Sequence, residues 1–280
     1  MAKTLMSYLE LLKDLDHKPN QERFEIIKRR LRNMNVRFSE QRYSSGTNLI
    51  VDLGSGHRRI GIASHFDRVV GAGGANDNGS AVAVCLDIIE KFVSDRRDDI
   101  DLRLFFFDEE ETGLKGSTAY VDEHGIADLT GLINMELVGL GDGFALWPVS
   151  TEAHGRLLEI FESTCKGKSI RSNRFDRIVT NTADHVPFRE AGLADSFTVT
   201  CISLRDITIA AGYYAALDLG VKEEKLFSIL SKAPVFQHYH MPTDTFEKVD
   251  DSTIAMTSSV IWETILRNSL SCKQRGTHAF

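Results

Sequence analysis

The sequence predicts an α/β fold: a three-layer sandwich in which a mixed, mostly parallel sheet carries helices on both faces. Two observations lead there. Short apolar runs of strand character alternate with longer stretches of helical periodicity along most of the chain, the order that a covered parallel sheet produces. The 280 residues, 42% of them hydrophobic and 26% charged, are enough to bury one substantial core. No internal repeat, low-complexity tract or linker divides them, so residues 1–268 read as a single α/β domain and 269–280 as a frayed tail.

Residues 4–34 read as helix, with Leu5, Leu9 and Leu12, then Phe24, Ile27 and Leu31, at helical spacing around a break near Pro19. "VRFSEQ", "TNLIVDLG" and "RRIGIASHFD" follow as strands, and "SAVAVCLDIIEKFV" has the length and composition of a buried helix. "DLRLFFFDEEE" is a strand that runs straight into acids. Next come a helix near 113–124, the strand "GLINMELVG", a helix near 153–166, a strand near 196–203 and a closing helix over 252–268. The stretch 205–234 is mixed in character and reads either as a cap over a cleft or as a pair of ordinary packing helices.

A net charge of −7 argues against a nucleic-acid partner. The basic cluster "KRRLR" at 28–32 shares a helical pattern with Phe24, Ile27 and Leu31, so it reads as a solvated helix face. No apolar run approaches the roughly 20 residues that span a bilayer, and "MAKTLMSYLELLKDLD" carries acids where a signal peptide stays apolar. The expectation is therefore a cytoplasmic protein with no membrane partner. Cys85, Cys165, Cys201 and Cys272 lack CxxC spacing and read as buried or inert thiols.

Beyond the apolar runs lie residues of a different kind, in the place where open α/β sheets gather ligands, past the carboxyl ends of the strands. Those ends supply His65, Asp67 and Asp77, then Asp108, Glu109, Glu110 and Glu111, then Glu136, and "FQHYHMPTDT" adds His238 and His240. Grouped carboxylates resist ionising together unless a cation offsets them, and imidazole beside carboxylate suits zinc, manganese or cobalt. Each residue alone has a plain alternative: Glu136 as a paired core acid, His240 as a hydrogen-bonding group, 108–111 as a solvated strand exit. The bias shared by separate strand ends favours a metal.

In order along the chain, "HFD", "GANDNGSA", "FFFDEEETGLKGS", "NMELVG", "ADHVPFREAG" and "YHMPTDT" resemble the motifs of the M28 family of zinc aminopeptidases, over about residues 20–268. The resemblance implies a fold of the zinc-dependent exopeptidase type and two zinc ions, with cobalt or manganese as alternatives. Asp77 would bridge the ions, His65 and Glu136 would complete one ion's ligands, and Glu111 and His240 the other's. Matching the family pattern EExGLxGS to "EETGLKGS" makes Glu110 the general base and Glu111 a ligand, a register that a one-residue slip would undo. Glu136 stands where the family often has Asp.

Asp67, two residues after His65, is placed to accept the imidazole's other N–H, with a simple loop cap as its alternative, and the same resemblance gives Tyr239 the oxyanion to support, with simple packing as its alternative. Asp244 would anchor the loop carrying His240, and the Asp77–Asn78 peptide bond would be cis. His185 and His238 read as structural or supporting residues. The implied activity is removal of residues from the free amino end of peptides or aminoacyl substrates by a metal-activated water, with Glu110 moving the proton. Open beside it stand a single-zinc transferase resembling glutaminyl cyclases, a non-catalytic binding module, and a carboxypeptidase or amidase. Arg171, Arg174, Arg177 and Arg205 meet either a substrate carboxylate or surface acids.

Overall fold

The chain alternates helix and strand around one sheet in a computed structural model that describes residues 7–95, 97, 99–176 and 182–276, with 271–276 by backbone only. The amino-terminal helical stretch divides at Pro19 into α1 (Tyr8–Leu15) and α2 (Asn20–Asn33). The strands β1 (Ser39–Arg42), β2 (Thr47–Leu53) and β3 (Arg59–His65) lead into the buried helix α3 (Ser80–Asp95). After β4 (Leu102–Phe107), α4 (Lys115–His124) and β5 (Leu129–Met135) come β6 (Gly143–Trp147), α5 (Arg156–Gly167), β7 (Arg171–Arg174), α6 (His185–Glu190) and β8 (Ser196–Ile202). The chain closes with α7 (Leu204–Asp218), α8 (Glu223–Leu230) and α9 (Asp251–Gly276).

The strand order is β1-β2-β4-β3-β5-β8-β6-β7. The centre, β4-β3-β5-β8, is parallel, while β1, β2 and β6 pair antiparallel with β2, β4 and β8. The two-residue period of a strand sorts the core between the faces. In β4, Leu104 and Phe106 join the apolar cluster under α1, α2, α3, α5 and α9, whereas Phe105 and Phe107 join a second cluster with Tyr120 of α4 and Phe188 of α6. Helices therefore cover both faces, as the sequence predicts. α3 is buried at every position from Ser80 to Ile89, so it lies inside the helical layer. α7 begins where Ser203 and Asp206 form a reciprocal cap, each side chain bonding the other's backbone N–H.

Several expectations change. β6, β7 and α6 lie where no element is predicted, because each is short and β7, "RSNR", is wholly polar at the sheet edge. α9 runs to Gly276 where the sequence suggests an end near 268 and a frayed tail, and 277–280 lie outside the described residues. In the basic cluster Lys28 is not solvated: it is 8% exposed and bridges Glu25 and Glu40, so its charge is paired. Cys85, Cys165 and Cys201 are buried free thiols, and the Cys272 side chain lies outside the described region.

Candidate metal centre

β4, β3 and β5 lie side by side and parallel, so their carboxyl ends deliver Glu110 and Glu111, His65, and Glu136 to one edge of the sheet. Asp77 reaches the same place from a tight turn over Ala75–Gly79 that opens on left-handed Gly74 (φ 81°) and runs into α3. Its peptide bond to Asn78 is cis, as the resemblance implies. His240 arrives last, from the loop beyond α8, on a backbone of positive φ.

Two buried carboxylates set these loops. Asp67 accepts the backbone N–H groups of both Glu110 and Glu111, each at 3.1 Å, and its Oδ1 lies 3.3 Å from His65 Nδ1. Asp244 accepts the N–H groups of Asn76 and Asp77 at 2.9 and 3.0 Å, so it ties the His240 loop to the Asp77 turn rather than anchoring its own loop alone. Gly73 is required beside it, since a Cβ there would stand 2.0 Å from the Asp244 carbonyl oxygen. Glu136 is held by Asn134 Nδ2 at 3.1 Å on one oxygen and by Asn78 Nδ2 at 2.9 Å on the other.

The result is two clusters that share Asp77. His65 Nε2 stands 3.4 Å from Asp77 Oδ1 and 3.1 Å from Glu136 Oε2. His240 Nε2 stands 3.4 Å from Asp77 Oδ2 and 3.1 Å from Glu111 Oε2. Ligand atoms about 2.0–2.1 Å from a tetrahedral ion are about 3.3–3.4 Å from one another, so each histidine stands at donor spacing from Asp77 and from one glutamate, and His65, Asp77 and Glu111 each offer a ligand atom within 4.8 Å of the others. The second oxygen of Glu111 is buried with no hydrogen-bond partner, another sign of a donor set built for a cation.

The acidic run sorts by direction. Glu109 turns away to Ser45 and Lys115, at 2.5 and 3.2 Å, which holds its carboxyl below the ordinary range against the cost of burial. Glu111 reaches His240, while Glu110 lines the adjoining cavity with Oε2 4.0 Å from His65 Nε2. Burial drives the Glu110 carboxyl well up, with His65 pulling the other way. Burial disfavours the His65 imidazolium, but the carboxylates of Glu136 and Glu110 outweigh it and raise its pKa well above the ordinary value. His240 is raised in the same sense, Glu111 and Asp77 overcoming the burial. Burial, reinforced by Asp77 and Glu111, also keeps the Tyr239 phenol protonated, a donor at the cavity wall stacked on the His240 ring.

The cavity, about 460 Å³, is mostly apolar beyond these groups, with Thr182, Thr200, Asp206, Ser231 and Gln237 also on its wall. Tyr213 and Tyr214 of α7, Phe227 and Leu230 of α8, Trp147 of β6 and Phe175 wall it, so the 205–234 stretch flanks the centre. Arg171 and Arg174 pair with Asp142 and Glu162 rather than lining it, Arg205 is exposed, and Arg177 lies outside the described residues. The sequence gives Asp184 no role, yet it is fully buried, and burial pushes its carboxyl up to about 8. Only its place in the "ADHVPF" block marked it. Asn134 and Asn78, which grip Glu136, carried no signal beyond their neighbours.

Comparison with known proteins agrees with this geometry. The profile of peptidase family M28 matches residues 48–265. Aminopeptidase YwaD of Bacillus subtilis (strain 168) is 30% identical over 144 residues, 47% of this chain and 30% of that protein. A vacuolar membrane protease of Candida glabrata is 27% identical over 201 residues, 68% of this chain and 20% of that protein. The chain thus spans less than a third of either relative. Among solved structures, a zinc aminopeptidase from Bacillus subtilis superposes with a TM-score of 0.59 at 22% identity, over 79% of this chain and 50% of that one. Porphyromonas gingivalis glutaminyl cyclase superposes with a TM-score of 0.70 at 16% identity, over 95% and 98%. At such identities these structures speak for the shared fold, and the profile match across most of the chain speaks for the lineage: the chain belongs to peptidase family M28.

Proposed function

We propose that the protein is a metal-dependent aminopeptidase that binds two divalent ions, conventionally zinc, and hydrolyses the peptide bond next to a free amino terminus. The observation that carries this reading is Asp77, whose two carboxylate oxygens each stand 3.4 Å from a different histidine, each histidine in turn 3.1 Å from a glutamate. In it His65, Asp77 and Glu136 hold one ion and Asp77, Glu111 and His240 the other. Such a pair supplies Lewis acidity toward the scissile carbonyl and lowers the pKa of water at the centre.

The chain's own residues do the rest. Glu110 is free of the two donor clusters and lines the cavity beside them, where it is placed to take a proton from the attacking water and hand it to the departing amine. Tyr239, protonated throughout the physiological range, donates its hydroxyl to the carbonyl oxygen as negative charge develops there. Asp67 keeps Glu110 and Glu111 in register by accepting both of their N–H groups. The apolar cavity receives the substrate chain beside the bond to be cut.

A single-zinc acyltransferase of the glutaminyl-cyclase kind is the second reading, favoured by the superposition over 95% of this chain. One experiment separates the two. Protein stripped with a chelator is titrated with zinc and assayed on aminoacyl amides, dipeptides and amino-terminal glutaminyl peptides. The aminopeptidase reading expects two zinc per chain, hydrolysis that vanishes on chelation and returns with zinc, and no turnover of N-acetylated substrates. One zinc per chain with cyclisation of glutaminyl peptides selects the second reading, and hydrolysis indifferent to chelation rejects both.

A further inference from the structure

Arg23 is the largest side chain that folding removes entirely from solvent, at 0% exposure, and no carboxylate forms an ion pair with it among the described residues. Its guanidinium instead collects three backbone carbonyls from three separate segments. Nε donates to Phe66 O at 2.6 Å, and Nη1 donates to Leu15 O and to Gly74 O, each at 3.1 Å. Phe66 sits between His65 and Asp67, and Gly74 opens the turn that presents Asp77. One rigid cation therefore joins the backbone beside one proposed ligand to the backbone that presents the ligand shared by both clusters.

The surroundings are cut to fit it. A Cβ on Gly74 would come within 2.9 Å of Nη1. The ring of the adjacent Phe24 lies against Phe66, with centroids 5.6 Å apart. Other bonds close the same junction: His17 N–H donates to Gly73 O at 3.0 Å, and Arg68 reaches back to Asn20 Oδ1 and to Lys18 O at 3.2 and 2.8 Å. Burial and the neighbouring Arg68 guanidinium lower the Arg23 pKa, and the carboxylates of Asp67, Asp244 and Asp77 offset part of that at longer range. One side of each of these contacts comes from the helical hairpin of α1 and α2, which precedes the segment the M28 profile matches, residues 48–265.

We propose that Arg23 is a positioning residue for the metal centre: by bridging Phe66 O, Leu15 O and Gly74 O it fixes the distance between the His65 strand end and the Asp77 turn. The proposal rests on the metal-centre reading given above. A lysine keeps the charge but is a point donor without the planar fork, so it cannot bridge the three carbonyls in the same geometry.

The test uses the full chain, stripped of metal, as wild type, Arg23→Lys and Arg23→Met, with Leu158→Ala in α5 as a control for general loosening of the core. Zinc affinity is measured by competition with a chromophoric chelator, the cobalt-loaded visible spectrum reports the coordination geometry, and thermal unfolding reports the fold. The expected result is a folded Arg23→Lys protein whose zinc affinity falls about 10- to 100-fold, in the range seen when groups supporting a ligand are lost, with an altered cobalt spectrum. Arg23→Met should fall at least as far, and Leu158→Ala should keep wild-type affinity and spectrum. Arg23→Lys with wild-type zinc affinity and an unchanged cobalt spectrum overturns the proposal, and this variant decides the matter if Arg23→Met does not fold. Wild-type protein that takes up no zinc would instead refute the metal centre itself.

Discussion

Glu109, Glu110 and Glu111 are consecutive in the chain and meet three different environments. Glu109 is tied to Ser45 and Lys115 on the outer side, Glu111 reaches His240, and Glu110 faces the cavity. Substituting Glu110→Gln removes the proton-accepting group while leaving both donor clusters intact. Turnover should fall by about 100- to 10,000-fold, with zinc content unchanged. Glu109→Gln loses only a partly exposed ion pair, an interaction worth about 0–1 kcal/mol, and should keep near-wild-type turnover. Steady-state kinetics with metal analysis on both variants checks the pair, and the reverse ranking would shift the register by one. His65, Glu111 and Glu136 drew attention in the sequence by standing beyond apolar runs, whereas the reading of all five as donors, Asp77 and His240 included, follows from the resemblance to the M28 motifs. Their supports were legible in part: Asp67 and Asp244 read as supporting residues, but the grip of Asp244 on Asp77 from 167 residues away was not foreseeable, and Arg23 carried no signal.

At the scale of elements, the long buried ones announced themselves and the short ones did not. "SAVAVCLDIIEKFV" could only be a buried helix, and "LRLFFF" alternates its side chains between two helical layers. β7 has no apolar residue to read, because it pairs only with β6 at the sheet edge. Turn geometry makes two opposite predictions for the same kind of substitution. Gly73→Ala drives a methyl against the Asp244 carbonyl oxygen, 2.0 Å away, where backbone must move. It should cost about 1–3 kcal/mol, as overpacking does, and weaken zinc binding because the Asp77 turn shifts with it. Gly212→Ala lies within α7 with nothing near its added methyl, and should stabilise by about 0.4–1 kcal/mol through reduced freedom of the unfolded chain. Urea denaturation midpoints for the two variants should move in opposite directions.

For the whole molecule, stability should carry a signature of His185. This ring is fully buried, hydrogen-bonds Thr198 at 2.6 Å and stands edge-on to Trp147. Burial, with Arg189 adding to it, depresses its pKa to about 3, against about 6.5 in an unfolded chain. Because the folded value is the lower one, its contribution is fully present above about pH 6.5. That contribution falls as acid protonates the unfolded ring first, at up to about 1.4 kcal/mol per pH unit toward pH 3. Unfolding free energies of wild type and His185→Gln, compared from pH 7 to pH 5, should show the steeper acid loss in wild type. Equal slopes would mean that the ring is not held neutral.

At this same scale, the overall sheet was predictable because strand–helix alternation leaves few ways to cover a parallel core, whereas the antiparallel direction of β1, β2 and β6 depends on pairing partners that no local pattern names. The convergence of four distant side chains, His65, Glu111, Glu136 and His240, on Asp77 is the claim on which the function depends. Anomalous diffraction from zinc-loaded crystals, collected at the zinc edge, measures it most directly. The account predicts two peaks flanking the Asp77 carboxylate, one among His65 and Glu136 and one among Glu111 and His240. A map with no peak at Asp77, or with zinc bound elsewhere on the molecule, would contradict it.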